Sequence, residues 1–267
     1  MLVKGNQLGL IQRNMIVDEK IGFEVSEEVK QKIEHAQENP QLIDMDELKD
    51  LKPITLKSHT YRFFKRAADI VISGLALIFL FVPFLIVALA IFIDDPGKVF
   101  FRQYRVGRHG KRFRLYKFRS MRQNTPKYMS TAEVDDPNKY ITRVGKFLRK
   151  TSLDELPQLI NIFKGDMSLV GPRPLISDEY EIHQMRTVLG VYQLRPGITG
   201  LAQINGRDTV APAAKVRFDV TYLEHFGPVM DIKVLFATVP KVFGGQGVVE
   251  GYSTTKQQKE ETEQPIE

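Results

Sequence analysis

The stretch that decides the fold runs from Ile70 to Ile93 and reads IVISGLALIFLFVPFLIVALAIFI, without a charged residue over 24 positions. As a straight helix it would be roughly 36 Å long, whereas a hydrocarbon core is about 30 Å thick. Helices of soluble proteins seldom stay apolar on every side for this length, although a buried core helix is the alternative. The segment therefore predicts a helix inserted into a membrane.

Basic residues flank this segment on both sides. Because positive charge marks the cytoplasmic side of a membrane, the flanks indicate that both ends face the cytoplasm. Pro83 lies near the centre, where it removes an intrahelical hydrogen bond and bends the helix. Both features favour a re-entrant helix with two cytoplasmic ends. Proline also occurs in spanning helices, so a crossing stays open on these residues alone. The flanking basic residues are Lys57, Arg62, Lys65 and Arg66 on one side, and Lys98, Arg102, Arg105, Arg108 and Lys111 on the other.

The chain divides around the membrane segment into four predicted parts. Its 267 residues include no cysteine, which excludes disulfides and thiolate sites, and Met1 to Leu10 lack the pattern of a cleaved export signal. The predicted fold class is α+β and mostly helical, membrane-associated, with a proline-bent re-entrant helix, interfacial amphipathic helices and a small sheet. The parts are a polar N-terminal extension over 1–60, a membrane anchor over 61–95, a cytoplasmic catalytic domain over 96–250 and a disordered tail over 251–267.

The region from Lys98 to Lys150 is strongly basic, with sixteen Lys and Arg residues against three acids. Such a surplus points to anionic partners such as lipid headgroups or phosphates. Two stretches that start at Lys98 and Lys111 alternate apolar and basic residues, which predicts short strands with one apolar and one cationic face. Nucleic-acid binding also produces such interleaving, but next to a membrane segment we expect no nucleic-acid partner.

An adjacent carboxylate pair, Asp154 and Glu155, follows the basic region. Nearby cations favour the charged form of a carboxyl group. An ionised pair can act as nucleophile, base or Mg²⁺ ligand in phosphate chemistry. The alternative is structural, because Ser152 as an N-cap would put Glu155 at the third helical position of a capping box. For an arbitrary protein, capping is the more common role.

Further helices and turns are predicted from local patterns. A final amphipathic helix has one apolar face that either packs in the core or lies in the membrane interface. That face comprises Ile232, Leu235, Phe236, Val239, Val242 and Phe243. The other expected elements are helices over 145–150 and 154–163, an acidic helix over 177–189, a glycine-rich turn over 195–201 and a helix or mixed segment over 213–226.

Loops near the carboxylates supply further candidates for binding phosphate. The Pro172-Arg173-Pro174 sequence fixes the backbone on both sides of one arginine and presents it rigidly, unless it is simply a surface loop. Gly197, Gly200 and Gly206 allow backbone amides to approach a phosphate closely, although glycines also make turns. Asp166 is expected to be a turn or structural carboxylate.

Taken together, these motifs resemble the bacterial sugar transferase family, the monotopic phosphoglycosyl transferases that start polysaccharide assembly on polyprenyl phosphate. The resemblance covers about Tyr61 to Val249. The chain departs from the family at Val82, where a serine usually precedes the kink proline, and in its N-terminal extension. The matching motifs are Lys65-Arg66-X-X-Asp69, Tyr116-Lys117-Phe118-Arg119-Ser120-Met121, Arg149 with Ser152-Leu-Asp-Glu-Leu-Pro-Gln, Lys164 to Pro174, Arg195-Pro-Gly-Ile-Thr-Gly-Leu and Asn205-Gly-Arg207.

The resemblance implies transfer of a sugar 1-phosphate from a UDP-sugar to undecaprenyl phosphate, with release of UMP and use of Mg²⁺. It makes Asp154 the nucleophile and a metal ligand, and Glu155 its partner, which deprotonates the acceptor or tunes the metal site. It also implies a re-entrant helix bent at Pro83, contact with membrane lipids, and a place on the cytoplasmic face of the bacterial inner membrane. The implied substrate contacts are Lys117, Arg119, Arg149, Arg173, Arg195 and Arg207.

Two other functions stay open on the residues. One is a membrane-anchored interaction protein whose basic face recruits anionic partners. The other is a polyprenyl-linked pyrophosphate hydrolase that uses the same metal and arginines with water as acceptor. The N-terminal extension contains an apolar stripe of helical spacing, Val25, Val29, Ile33 and Ala36, that could support a homodimer. The sugar is not readable from sequence, because small changes in pocket contacts decide among sugars.

Overall fold

The computed structural model describes residues 56, 59–125, 137–177, 179–205 and 212–243. These residues form a mostly helical fold with two small two-stranded sheets, as the α+β prediction requires. The predictions for the N-terminal extension, apart from its last residues, and for the C-terminal tail lie outside the described residues. The helices are α1 His59–Phe79, α2 Phe81–Asp94, α3 Arg143–Lys150, α4 Gln158–Lys164, α5 Tyr180–Val188, α6 Leu201–Ile204, α7 Pro212–Glu224 and α8 Pro228–Phe243, and the strands are β1 Phe100–Val106, β2 Arg112–Phe118, β3 Ser168–Val170 and β4 Gly197–Thr199.

The apolar segment is two helices, α1 and α2, whose axes differ by 60° at a break on Leu80. Pro83 has no N–H to donate to the Phe79 carbonyl, and its ring collides with that carbonyl in a straight helix. The bend predicted from Pro83 is therefore present, with its break three residues ahead of the proline. No single helix among the described residues is long and apolar enough to span a membrane, whereas α1 and α2 together meet that test by length and composition.

The start of α1 is attached to the rest of the protein by polar side chains. The Arg66 guanidinium donates to the carbonyl oxygens of Ile162 and Phe163 at the end of α4, at 2.6 and 2.8 Å. Asp69 is buried, and its carboxylate accepts a hydrogen bond from the backbone N–H of Leu169 at 3.0 Å. The Lys65-Arg66-X-X-Asp69 motif thus fastens the helix to α4 and β3.

The end of α2 is attached to the same body. The Asp94 carboxylate accepts from the Val144 N–H in α3 at 2.9 Å. The Asp95 carboxylate accepts from the Gln123 N–H at 3.0 Å and lies 3.3 Å from Arg119. Both ends of the bent pair are therefore held by one domain, while many apolar side chains between them are exposed, Ile78, Phe79, Phe81, Ile86 and Leu89 among them.

The basic region forms the predicted strands as an antiparallel hairpin, in which Phe100 pairs with Phe118 and Val106 with Arg112. In β2 the alternation matches the prediction, because Phe113, Leu115 and Phe118 are buried while Arg112 is exposed. Strand β1 is mostly exposed on both faces. The hairpin therefore packs on the core through β2.

The segment predicted as a glycine-rich turn, 195–201, contains strand β4, which pairs in parallel with β3. A Cβ added at Gly197 would lie 2.1 Å from the Gly171 nitrogen, and one added at Gly200 would lie 2.1 Å from the Gly171 carbonyl oxygen. Of the two roles considered for these glycines, the close approach they permit is therefore to the Gly171 backbone and not to a phosphate. Gly206 lies outside the described residues.

The predicted apolar face of α8 does not pack in the core at the four residues whose side chains the structure describes, Ile232, Leu235, Phe236 and Val239. Ile232 and Phe236 are 53% and 75% exposed, and Val239 is exposed as well. The core packing comes instead from Met230 and Val234, which are almost fully buried. For these four residues, the core role, one of the two considered, is wrong.

Candidate active site

The carboxylate pair lies on a short turn between two helices. Ser152 has left-handed backbone angles (φ 56°, ψ 17°), and a single 3₁₀ turn, Leu153–Glu155, follows it. Helix α4 begins only at Gln158, after Pro157. The Ser152 side chain makes no capping hydrogen bond, so the alternative of a capping box is wrong. The helix begins four residues after the predicted start at Asp154.

Asp154 is buried, with 8% of its surface exposed. Burial raises the pKa of its carboxyl to about 6, and the negative charge of Glu155 acts in the same direction. Lys117 and Arg149 lower this pKa, as the sequence predicted, but they do not outweigh burial. No other described residue donates a hydrogen bond to the carboxylate. Asp154 is therefore mostly ionised at neutral pH, without a partner from the described part of the fold.

Glu155 has the cationic partners that Asp154 lacks. The Lys117 ammonium, near the end of β2, donates to the Glu155 carboxylate at 2.8 Å. The Arg173 guanidinium lies 3.9 Å from the same oxygen. The Pro172-Arg173-Pro174 loop therefore places its arginine beside Glu155, and contact of this arginine with substrate stays a prediction.

Arg149 approaches the dyad from α3. Its Nε donates to the Ser120 hydroxyl at 3.0 Å, and its charge acts on Asp154. Helix α3 can pack this closely against Ser120 because Gly145 has no side chain. A Cβ at that position would lie 2.0 Å from the Ser120 carbonyl oxygen. The N-terminus of α3 is capped by Thr142, whose hydroxyl accepts from the Gly145 N–H at 2.9 Å.

Asn161 is a positioning residue that the sequence reasoning missed. It is fully buried in α4, and its amide accepts from the Tyr116 N–H at 3.0 Å and donates to the Arg114 carbonyl at 2.7 Å. These bonds fix β2, and with it Lys117, beside the dyad. The signal was a lone amide within an apolar helical stretch. Asn161 also donates to Asp166 at 3.2 Å, in keeping with the predicted structural role of that carboxylate.

The other predicted contacts lie in different surroundings. Arg119 is buried and bonded to Gln123 and Asp95 at the end of α2. Arg195 donates to the Gly165 carbonyl at 3.0 Å and lines a separate cleft that contains neither carboxylate of the dyad. Arg207 lies outside the described residues. The structure thus brings Lys117, Arg149 and Arg173 to the dyad.

The donor set of the dyad fits Mg²⁺. Two carboxylates are hard oxygen donors, and Mg²⁺ in phosphoryl-transfer sites is commonly held by one or two carboxylates together with water and substrate phosphate oxygens. Within the described ranges, no cluster of three or more His, Asp or Glu side chains could cage a metal ion. An ion at this site would therefore depend on Asp154, Glu155 and the substrate.

Comparison with known proteins bears on the same residues. A family model described as bacterial sugar transferase matches residues 60–245. The UDP-glucose:undecaprenyl-phosphate glucose-1-phosphate transferase of Escherichia coli K12 is 45% identical over 192 residues, which cover 68% of this chain and 40% of that protein. The undecaprenyl-phosphate galactose phosphotransferase of Salmonella typhimurium LT2 is 41% identical over 206 residues, covering 72% of this chain and 43% of that protein.

A shorter relative matches along most of its length. The exopolysaccharide production protein ExoY of Sinorhizobium fredii NGR234 is 38% identical over 197 residues, covering 68% of this chain and 87% of that protein. The region of the family match includes the dyad and the three cations around it. The two longer relatives therefore carry additional sequence outside the matched region.

Proposed function

The chain belongs to the bacterial sugar transferase family, and we propose that it is an enzyme that transfers a sugar 1-phosphate from a UDP-sugar to undecaprenyl phosphate, with release of UMP. Family membership bears out the resemblance seen in the sequence. The observation that carries the chemistry is Asp154, a buried carboxylate whose neighbouring cations are partnered with Glu155 and Ser120. The reaction belongs to the first membrane step of polysaccharide or glycoconjugate synthesis.

In the first half of the reaction, a carboxylate oxygen of Asp154 attacks the phosphorus atom that bears the sugar. The new O–P bond forms as the bond from that phosphorus to the bridging oxygen breaks, and the electron pair leaves with UMP. Lys117, Arg149 and Arg173 supply positive charge around the phosphoryl oxygens, where preorganised charge lowers the barrier. The product is an acyl phosphate that links Asp154 to the sugar phosphate.

In the second half, an oxygen of undecaprenyl phosphate attacks the same phosphorus atom. The bond from phosphorus to Asp154 breaks, so the carboxylate is regenerated and a polyprenyl diphosphate sugar leaves. Glu155 is placed to take a proton from the acceptor phosphate if it arrives protonated. Mg²⁺, when held by Asp154 and Glu155, would neutralise charge on the phosphates.

We propose further that α1 and α2 form a re-entrant helix in the cytoplasmic face of the bacterial inner membrane. Two observations support this topology. The ends of the pair are attached to the same domain through Arg66 and Asp69 on one side and Asp94 and Asp95 on the other. The bent middle exposes bulky apolar side chains, which burial in lipid would remove from water. The exposed face of α8 is suited to the membrane interface.

The covalent step is tested with detergent-purified protein and UDP-glucose or UDP-galactose in the absence of lipid acceptor. We expect one equivalent of UMP per enzyme, and a mass increase of one sugar phosphate on the peptide that contains Asp154. The Asp154→Asn protein is the control and should form neither. UMP release that continues without added undecaprenyl phosphate would instead indicate a hydrolase. A labelled wild-type peptide without Asp154 would refute the nucleophile assignment.

The topology is tested by cysteine labelling, which the absence of native cysteines makes clean. Single variants Ser58→Cys and Lys98→Cys flank the helix pair on its two sides. We expect a membrane-impermeant maleimide to label both only when the cytoplasmic face is accessible. Labelling of the two positions from opposite sides would show that the segment crosses the membrane.

A further inference from the structure

A second cleft lies apart from the dyad, between the start of α1, the turn after β1 and the segment that leads into β4. It is open to solvent, and the space between its walls, open solvent included, is about 360 Å³. None of the residues that surround Asp154 and Glu155 lines it. Its charged lining residues are Arg62, Lys65, Arg66, Asp69, Arg108 and Arg195.

The lining carries five basic side chains against one carboxylate. Two of the five are already engaged, since Lys65 forms an ion pair with buried Asp231, and Arg66 donates to backbone carbonyls of α4. The single carboxylate, Asp69, accepts from the Leu169 N–H. The cleft therefore keeps a surplus of positive charge from its other three arginines.

Those three arginines are Arg62, Arg108 and Arg195. Arg108 and Arg195 each use only Nε within the described residues, Arg108 toward the Gln193 carbonyl at 2.9 Å and Arg195 toward the Gly165 carbonyl at 3.0 Å. These bonds orient both guanidinium groups and leave their terminal nitrogens without an acceptor in the described part of the chain. Burial, followed by repulsion from neighbouring arginines, lowers the pKa of both groups.

Ser168 also lines the cleft and supplies an independent observation. It is 1% exposed, and its hydroxyl has no hydrogen-bond partner among the described residues. Buried hydroxyls are rarely left unpaired, because losing hydrogen bonds with water costs free energy. A ligand oxygen in the cleft would satisfy this hydroxyl and the arginine nitrogens together.

We propose that this cleft is a second phosphate-binding site, in which Arg62, Arg108, Arg195 and the Ser168 hydroxyl hold a phosphate group. Guanidinium groups suit phosphate because their paired N–H donors match two of its oxygens. The phosphate can come from a lipid headgroup or from a soluble phosphate compound. A lipid headgroup as the source rests on the proposed membrane insertion. Arg62 lies two turns before Ile70, the start of the apolar segment, so it would lie at the level of the headgroups. The exposed aromatic rings of Phe63 and Phe64 beside it are typical of interfacial anchors.

The test compares two double variants of the full-length protein with the same loss of charge. Arg62→Gln with Arg108→Gln removes two arginines of the cleft. Lys111→Gln with Arg112→Gln removes two exposed cations of the hairpin and is the matched control. Because the cleft variant removes repulsion between like charges, its melting temperature without ligand should equal or exceed that of the wild type.

One arm of the test titrates inorganic phosphate into detergent-solubilised protein and follows thermal stabilisation. The other counts phosphatidylglycerol molecules retained in native mass spectrometry. We expect about a tenfold weaker phosphate effect in the cleft variant, or the loss of one tightly held phosphatidylglycerol, relative to the control. A weaker phosphate effect in the cleft variant, without loss of phosphatidylglycerol, identifies a soluble phosphate as the ligand. Loss of one phosphatidylglycerol from the cleft variant identifies a headgroup.

The outcome that overturns the site is equal behaviour of the cleft variant and the control in both arms. Phosphate bound near the dyad contributes equally to both proteins, so it does not affect the comparison. Neither arm contains a UDP-sugar. Failure of the second phosphate site would therefore leave the proposed transfer reaction untouched, and a failed transfer assay would leave this site untouched.

Discussion

Asp154 and Asp219 are both buried carboxylates, at 8% and 2% exposure, but the protein surrounds them in opposite ways. Asp219 accepts two hydrogen bonds from one guanidinium, from Nε of Arg186 at 2.9 Å and from Nη2 at 2.6 Å. Asp154 receives none from another described residue, and the nearest lysine donates to Glu155 instead. The fold itself supplies the hydrogen-bond donors of Asp219, whereas the Asp154 carboxylate is available to a ligand.

The two sites are also connected. The third contact of Arg186 is a hydrogen bond from Nη1 to the carbonyl oxygen of Arg173 at 2.8 Å. Arg173 in turn points its guanidinium at Glu155. The satisfied pair therefore holds the backbone of an arginine whose guanidinium lies beside Glu155, the neighbour of the unsatisfied carboxylate. Stability in one region supports positioning in the other.

The largest expected effect is on catalysis by Asp154→Asn. The amide keeps the size of the side chain but cannot form the acyl phosphate, so sugar-phosphate transfer should fall at least about a thousandfold. UMP release from a UDP-sugar with added undecaprenyl phosphate measures it. Thermal unfolding serves as the control and should show a folded protein. Transfer at the wild-type rate would remove Asp154 from the chemistry.

Asp219→Asn should act on the fold. It leaves the buried guanidinium of Arg186 without a counter-charge, which typically costs about 3–5 kcal/mol. Chemical denaturation in detergent measures the loss. Asp166→Asn is the matched control, because Asp166 is partly exposed, its ion pair with Lys164 is long, at 3.8 Å, and the amide oxygen of asparagine still accepts the hydrogen bond from Asn161. Equal stability of the two variants would contradict the contrast drawn between Asp219 and Asp154.

The stability of the Asp154→Asn protein should differ from that of the wild type in a pH-dependent way. Because burial raises the pKa of Asp154 to about 6 in the folded protein, ionisation disfavours the folded state. The contribution of Asp154 to the free energy of unfolding of the wild type should therefore fall as the pH rises from about 4 to about 6. The variant should then be more stable by roughly 2–3 kcal/mol at pH 7, with no such gain near pH 4. Unfolding in EDTA measures this without bound metal, and a variant less stable than the wild type at pH 7 would contradict it.

A smaller effect is expected from Lys117→Met. The substitution removes the closest partner of Glu155 and one cation near the phosphates, so transfer should fall about ten- to a hundredfold. Initial rates over a range of UDP-sugar concentrations measure it. Lys164→Met is the control, because Lys164 lies at the exposed end of α4, beside the Tyr116 ring and not at the dyad. Equal losses from both substitutions would show that net charge matters and the geometry of the dyad does not.

Local sequence signals predicted the parts of the fold that depend on near neighbours. The apolar run, its proline bend and the alternating hairpin follow from periodicity and from the chemistry of one residue. The parallel pairing of β3 and β4 joins residues 29 positions apart, as Ser168 and Gly197 show, and no local pattern specifies it. The left-handed angles of Ser152 likewise depend on how α3 and α4 pack around the turn.

The site was predicted unevenly for a similar reason. Asp154, Glu155 and Arg173 stand out because their residue types and neighbours are unusual within a few positions. Lys117 and Arg149, which the family resemblance implied as substrate contacts, lie near the dyad, and their contact with substrate stays a prediction. The separate setting of Arg195 was not foreseeable, because its surroundings come from α1 and from the turn after β1. A charged residue reveals its chemistry in the sequence, but its partners appear only once the chain is folded.

The attachment of α1 and α2 at both ends has a mechanical consequence. A helix pair fastened through Asp69 at one end and Asp94 at the other cannot tilt without moving the domain that contains the dyad. In the proposed re-entrant topology, the helix pair would then act as a spacer of fixed length. The height of Asp154 above the lipid headgroups would accordingly be set by the protein rather than by the thickness of the bilayer.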